Sequence, residues 1–395
     1  MFSTALGLLL LSLVSGHALI ISGGDLAHID ITSGTVTPSV GPLNTYPNDV
    51  VIHNGYAFVV NSGVDDGALQ RFEMETWTLT EMTLGTGWNC WAALPVTGGN
   101  LAVSATLNGS IEIVDPENLQ IVSSISGVTP NPEWMAAEGN LIYAACGGWG
   151  TGNSVIEADL STGAVTRTLT ADTNCQSLVL HGDEAFVTCS GTYGANEGCV
   201  VVIDLTTGNA TDTLSTGGFP GYSVGMGDIL YLSDPWGAGV YSIDMSTKTV
   251  RNDSGNPFCT GGNGMAVDEN GNLWITDGMA GEVRVYDPSE NLQKTYTVAS
   301  PGAIAVTGGY NGTAAGDITV EPTISVYPNP AFSSLNVRNA APGETVAIYD
   351  VTGRVAGSAA ADSDGTCTID VTGLRPGLYS AVSGSSAARF AVTAR

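Results

Sequence analysis

The sequence predicts an all-β fold: a seven-bladed β-propeller closed by N- and C-terminal strands in one blade, followed by a small C-terminal Ig-like β-sandwich. Three observations predict it. A strand–acid–turn unit recurs along the first three quarters of the chain, a second hairpin precedes each unit, and the two ends of the repeated region supply complementary pieces of one unit.

The unit reads LAHIDITSG, LQRFEMETW, IEIVDPENL, VIEADLSTG, VVVIDLTTG, VYSIDMSTK and VRVYDPSEN. Its acid falls at Asp30, Glu73, Asp115, Asp159, Asp204, Asp244 and Asp287, with spacings of 43, 42, 44, 45, 40 and 43. A fixed period of this length is the signature of a repeat architecture. An acid entering a polar hairpin turn accepts local backbone N–H bonds, so these seven read as turn residues rather than catalytic carboxylates.

The preceding hairpins are VVIHNGYAFVVN, PVTGGNLAVSA, MAAEGNLIYAA, LVLHGDEAFVT, SVGMGDILYLS and MAVDENGNLWIT. Each alternates apolar and polar residues on either side of a Gly-containing turn, the pattern of two half-buried strands. Two such elements make four strands per unit, one propeller blade. Six units run from Asn48 to Ser300. The seventh is split, with Ala303–Val306 near the end and Leu19–Ser22, Leu26–Ile31 and Thr35–Val40 at the start. Pairing them removes the exposed sheet edges that an open array would carry.

Gly contributes 52 residues and charged residues 12%, which suits short strands and tight turns and argues against disorder. The net charge of −27 sits on residues 1–323, because from Ile324 onward five acids balance five arginines. Such a surface repels phosphates, so no nucleic-acid partner is expected. The opening MFSTALGLLLLSLVSGHALI reads as a signal peptide over residues 1–18, cut after Gly16-His17-Ala18; a buried first strand is the other reading. No later apolar stretch is long enough to span a membrane. The expected organisation is the propeller over 19–309, a Gly/Thr-rich linker over 310–323, and a tail domain over 324–395.

The passages NGYAFVVNSG, GNLIYAACGG and GCVVVIDLTTGNATDTLSTGGFP resemble the YVTN family of propeller repeats, which implies a fold and leaves function open. The tail carries Tyr327-Pro328-Asn329-Pro330, Ile348-Tyr349-Asp350 with Gly353-Arg354, Leu374 with Gly377-Leu378-Tyr379, and a closing apolar strand. These pieces, in this order, are similar to the type A C-terminal sorting domain of type IX secretion. The resemblance implies handling by the type IX machinery, export to the medium or cell surface, and removal of the tail.

In a propeller, the loops entering the innermost strands and those joining second to third strands share one face around the channel. That face is expected to collect Trp88, Trp91, Trp134, Trp149, Phe219, Tyr222 and Trp236, interleaved with Asn89, Glu133, Asn174, Gln176, Asp234, Asn263 and Asp277. Aromatics among amides and carboxylates suit a saccharide or peptide, although tryptophans also pack between blades. The expected role is therefore non-catalytic recognition of an extracellular saccharide or protein.

No cofactor is called for, although Glu133, Asn174 and Asn263 are oxygen donors suited to calcium. Residues 262–287 also resemble one blade of the gluconolactonase-type metal hydrolases. That resemblance implies the alternative of a metal-dependent hydrolase, or a lyase, at the channel mouth. It departs from the family at Asn263, where an Asp is expected, and at Pro220-Gly221-Tyr222. His53 and His181 read as turn residues on the opposite face. No nucleophile-elbow, zincin or phosphate-loop motif occurs.

Export favours disulfides. Cys189 and Cys199 bracket one hairpin, and Cys146 and Cys175 lie on the same face of adjacent blades. The expected bonds are Cys189–Cys199 and Cys146–Cys175, among three possible pairings of four cysteines. Cys90, Cys259 and Cys367 are expected to stay unpaired.

Overall fold

The computed structural model describes residues 16–63, 67–308, 325–327, 331–338, 340, 342–350, 354–363, 365–383 and 386–393. The chain divides into two compact units, Met1–Gly316 and Asp317–Arg395. The bulk of the expected signal peptide and the linker lie outside the described residues, as do Pro328-Asn329-Pro330 and Gly353 of the tail motif.

The first unit contains seven four-stranded antiparallel sheets. Their innermost strands are Pro47–His53, Cys90–Pro95, Pro132–Glu138, Cys175–His181, Ser223–Met226, Met265–Val267 and Pro301–Val306. Each touches the next, and the last touches the first, so the sheets form a closed ring. One sheet joins the two ends of the region: Pro301–Val306 pairs with His17–Ser22, which continues through Asp25–Asp30 to Val36–Pro42.

Local chemistry explains these elements. At the first hairpin, Asn54 and Gly55 take φ of 51° and 81°, the two positive values a type I′ turn needs. The repeated acids cap their own turns. The Ser33 N–H donates to Asp30 Oδ1 at 2.8 Å, the Thr206 and Thr207 N–H groups to Asp204 Oδ1 at 2.8 and 2.9 Å, and the Ser289 N–H to Asp287 Oδ1 at 2.9 Å. These donors hold Asp30, Asp204 and Asp287 below the usual carboxylate range, as expected of turn anchors.

The core lies between sheets. Val179, Phe186, Val200 and Val202 of one sheet pack on Leu230, Leu232, Tyr241 and Ile243 of the next. A polar device repeats beside this packing. A buried hydroxyl near the end of a second strand donates to a carbonyl at the start of the next innermost strand: Thr106 to Pro132 at 2.8 Å, Ser190 to Pro220 at 2.6 Å, Ser233 to Gly262 at 2.5 Å and Thr276 to Gly302 at 2.8 Å. Each latch ties one sheet to its neighbour by a buried hydrogen bond.

Two sequence expectations are corrected here. The first strand begins at His17, two residues before the expected boundary: His17 pairs with Asp30, and Ala18 pairs with Ile29 and Val306. A cut after Ala18 would remove residues that the sheet uses. Neither expected disulfide forms, since all seven cysteines are free thiols. Cys146 packs with Ile111, Met135 and Ile156, while Cys175 packs with Cys189 and Cys199 in a different cluster. Cys189 and Cys199 do face each other across their hairpin, yet the Cys189 Sγ lies 3.8 Å from the Cys175 Sγ.

The second unit is a sandwich of a three-stranded sheet (Ser325–Tyr327, Ser334–Arg338, Cys367–Asp370) and a four-stranded one (Thr345–Asp350, Val355–Ala360, Gly377–Ser383, Ser386–Val392). Leu335, Val337, Val346, Ile348, Ile369 and Phe390 fill its core, with Leu374 and Tyr379 packed against it. Among the described residues no helix is long and apolar enough to cross a membrane.

Candidate binding site

The entrance of each innermost strand is irregular in a way that aims side chains at the channel. The ladder register shifts between Pro47 and Asp49, between Cys90 and Ala93, between Pro132 and Met135, and between Cys175 and Ser177. These are β-bulges, which turn the extra residues out of the regular alternation. The residues so placed are Asn48, Trp91, Glu133 with Trp134, and Gln176.

All but Glu133 converge on a cavity of about 270 Å³ at the channel mouth, where Asn48, Asp49, Trp91, Trp134, Gln176, Phe219, Tyr222, Trp236 and Asn263 meet. An aromatic row forms its wall. Trp91 meets Trp134 edge to face at 5.6 Å, and Trp134 meets Tyr222 at 5.4 Å. Trp236 is 92% exposed at the rim. A side recess of about 430 Å³ shares Trp91, Gln176 and Phe219 and adds Glu133, Asn174, Trp149 and Tyr193.

Two carboxyls here are held protonated to unusually high pH. Burial pushes Glu133 up to about 8, against the pull of a weak N–H bond from Gln176. Desolvation likewise raises Asp49 to about 7, although the Ala93 and Val50 N–H groups donate to it. Asp49 keeps some exposure to the cavity, so Glu133 is the more firmly perturbed of the two.

Glu133 also gives a stability prediction. The folded protein keeps its proton up to about 8, while the unfolded chain releases it near 4.5, so this contribution is complete below about 4.5 and is lost as pH rises to 8. Glu133→Gln, neutral throughout, is expected to lie close to the parent near pH 5 and to exceed it at pH 9 by roughly 4–5 kcal/mol. Denaturant unfolding at both pH values checks this; an equal difference at both would show the carboxyl is not buried as a neutral acid.

Several expected residues serve the fold instead. The Trp88 ring lies against Gly85, where a Cβ would come within 2.2 Å of it, and packs on the core. Asn89 takes φ of 50° and its carbonyl accepts the Thr106 N–H. Asp234 accepts from Tyr241 Oη at 2.6 Å and from the Phe219 N–H at 2.9 Å. Asp277 is bound by Arg284 at 2.9 Å and by the Thr260 hydroxyl.

The three calcium candidates divide. Glu133 and Asn174 share the side recess through Gln176, whereas Asn263 lines the central cavity and spends its Oδ1 on the Gly278 N–H. Among the described residues no three His, Cys, Asp or Glu are grouped to hold a metal. His53 and His181 bond a loop carbonyl and Asp228 in the hairpin turns.

Sequence reasoning passed over Asn48 and Asp49, in a stretch whose sequence reads as a turn. Their signal was positional: they occupy the entrance of their innermost strand as Trp91 and Glu133 occupy the entrances of theirs. Three buried polar atoms remain without a partner around these cavities, Asn48 Nδ2, Trp91 Nε1 and Glu133 Oε2.

Comparison with known proteins adds two findings. Residues 325–389 match the family described as the secretion system C-terminal sorting domain, which indicates export from the cell or to its surface. That match is confined to the tail, and the YVTN resemblance rests on the passages quoted above. No curated protein matches the chain by sequence. Solved structures similar to it include a functionally unknown protein from Desulfotomaculum acetoxidans (13% identity, 73% of this chain and 98% of that one, TM-score 0.56). Others are a streptogramin B lyase (12%, 74% and 92%, 0.54) and a putative 6-phosphogluconolactonase from Bacteroides fragilis (14%, 74% and 98%, 0.53). At such identities the likeness concerns the fold. The chain is thus a propeller with a secretion-system sorting domain at its C-terminal end.

Proposed function

We propose that this is an exported recognition propeller that seats a saccharide ring in the channel mouth. The observation carrying the reading is the Trp91–Trp134–Tyr222 row set beside polar atoms that lack partners. A sugar offers an apolar face to stack on aromatics and hydroxyls that pair with an amide, an indole N–H and a carboxyl. The cavity volume falls just below the range of about 300–1,000 Å³ for small-molecule sites, which suits a single ring at the end of a chain.

The test is a glycan array followed by calorimetry on a bound sugar. Trp134→Ala, checked for an unchanged melt, is expected to weaken binding by roughly tenfold or more, since an aromatic contact contributes about 0.5–1.5 kcal/mol beyond its area. Absence of any bound glycan, or binding indifferent to Trp134, overturns the reading.

Asp49 and Glu133 favour one second reading, a lyase or hydrolase that uses a carboxyl held near neutral pH as its acid or base. Turnover of a lactone, abolished in Glu133→Gln, would favour this reading; bound sugar recovered intact favours recognition.

A further inference from the structure

The face opposite the channel mouth carries a second cluster. Innermost strands start at the mouth, so the second strand His17–Ser22 starts at the other end. There His17 Nδ1 lies 2.8 Å from His28 Nε2, with ring centroids 4.9 Å apart. Trp77 of the adjacent sheet packs edge-on to His17 and at 5.0 Å from His28. Both residues are half-buried.

The backbone of His17 is fixed independently of these rings. Its N–H donates to Thr307 Oγ1 at 2.7 Å, and its carbonyl accepts the Thr307 N–H at 2.8 Å. The strand that closes the ring therefore holds His17 in place. A leader cut after Ala18 would destroy this arrangement, but Val14-Ser15-Gly16 just upstream is also a small-x-small sequence. Cutting there leaves the paired strand whole and makes His17 the first residue. Among the described residues it forgoes the contacts of Gly16, whose carbonyl accepts the Ile31 N–H.

We propose that the mature chain begins at His17 and that its α-amino nitrogen and Nδ1, together with His28 Nε2, form a three-nitrogen site for a copper(II) ion. An amino-terminal histidine chelates through amine and Nδ1 at once. Two nitrogens 2.8 Å apart have the spacing of neighbouring ligands at right angles around a metal with bonds of about 2.0 Å. Nitrogen donors in a planar arrangement favour Cu(II), which also heads the affinity order of the divalent first-row metals.

Loading moves the proton shared between the rings to the far nitrogen of the ring that carries it, so each neutral imidazole ends with its one N–H turned away from the metal, and the ammonium gives one proton to solvent. The amine's remaining N–H can still reach Thr307. This site does not depend on the sugar-binding reading.

N-terminal sequencing of the protein exported by its own host comes first. The expected start is His17; a start at Leu19 overturns the proposal, as does any start that leaves residues ahead of His17. Calorimetric Cu(II) titration of the exported protein should then show one tight site, with three nitrogens in its paramagnetic resonance spectrum. His28→Ala is expected to weaken binding by roughly a hundredfold, since even groups that only support a ligand are worth about 10–100-fold. A chain keeping a long extension ahead of Gly16 retains both rings and the fold but lacks the amine, and should lose as much. Unchanged affinity in either variant overturns the site, and the extended chain decides alone if His28→Ala does not fold.

Discussion

A chain ended at Ser300 is expected to lose the propeller fold altogether, whereas one ended at Gly308 keeps a cooperative melt and its β-signal by circular dichroism. The eight residues between supply the innermost strand Pro301–Val306, which pairs with His17–Ser22 and touches the strands on both sides of it in the ring. Ile304, Ala305 and Val306 are all at most 3% exposed, and they belong to the two clusters that join the split sheet to its neighbours. Burying an aliphatic side chain contributes about 1.5–3 kcal/mol. Losing Ile304 and Val306, uncovering their partners and leaving a bare edge on His17–Ser22 together approach the 5–15 kcal/mol that stabilises a typical domain. The loss is not local, because an open ring exposes one face of each flanking sheet. A cooperative melt of the shorter chain, at a midpoint within a few degrees of the longer one, would show that the sheets stand without closure.

That split sheet was legible because its evidence is local. Ala303–Val306 and Leu19–Ser22 each alternate as strands do, and each lacks the partner the other supplies. The turn acids were legible for the same reason: Asp204 and Asp287 bond to N–H groups two to four residues on, which sequence spacing alone places. The start of the first strand was not, because His17 and Ala18 are held by Asp30, Ile29 and Thr307, and no local pattern separates a strand residue from a cleavage site. The cysteines failed through side-chain direction. Cys146 and Cys175 sit on adjacent sheets near the same face, but their side chains enter different inter-sheet clusters. Burial also pushes the Cys146 thiol up to about 12, which leaves it inert.

The channel mouth was half legible. Periodicity located the entrance loops, so Trp91, Trp134, Gln176 and Tyr222 were found together. Loop membership does not say which way a side chain turns. Trp88 and Trp91 share one loop, yet a bulge sends Trp91 to the cavity while Trp88 lies on Gly85. Asp234 and Asp277 looked like ligand-binding carboxylates and are consumed by Tyr241 and Arg284, partners 7 residues away on the neighbouring strand. Asp49 went unnoticed because an acid in TYPND has every local feature of a turn.

Removing residues 325–395 is expected to stop export by the native host while leaving the propeller intact. The sorting-domain match over 325–389 supplies the first half of that expectation. The second half follows from packing. The tail has its own core, in which Leu335, Val337, Ile348 and Phe390 are buried against one another and the Tyr379 ring stacks on Phe390 at 5.8 Å. Among the described residues the propeller clusters draw on none beyond Val306. Each unit therefore has an apolar core of its own among the described residues, and the melt of the truncated chain should match the propeller transition of the full one. Fractionation of the host then reads the export half: full-length protein in the medium or on the surface, and truncated protein retained inside the cell envelope. The site makes the same experiment sharper, because truncated protein recovered from the envelope should still bind whatever sugar the exported protein binds. Normal secretion of the truncated chain would refute the role given to the tail, and loss of its melt would refute the independence of the two units.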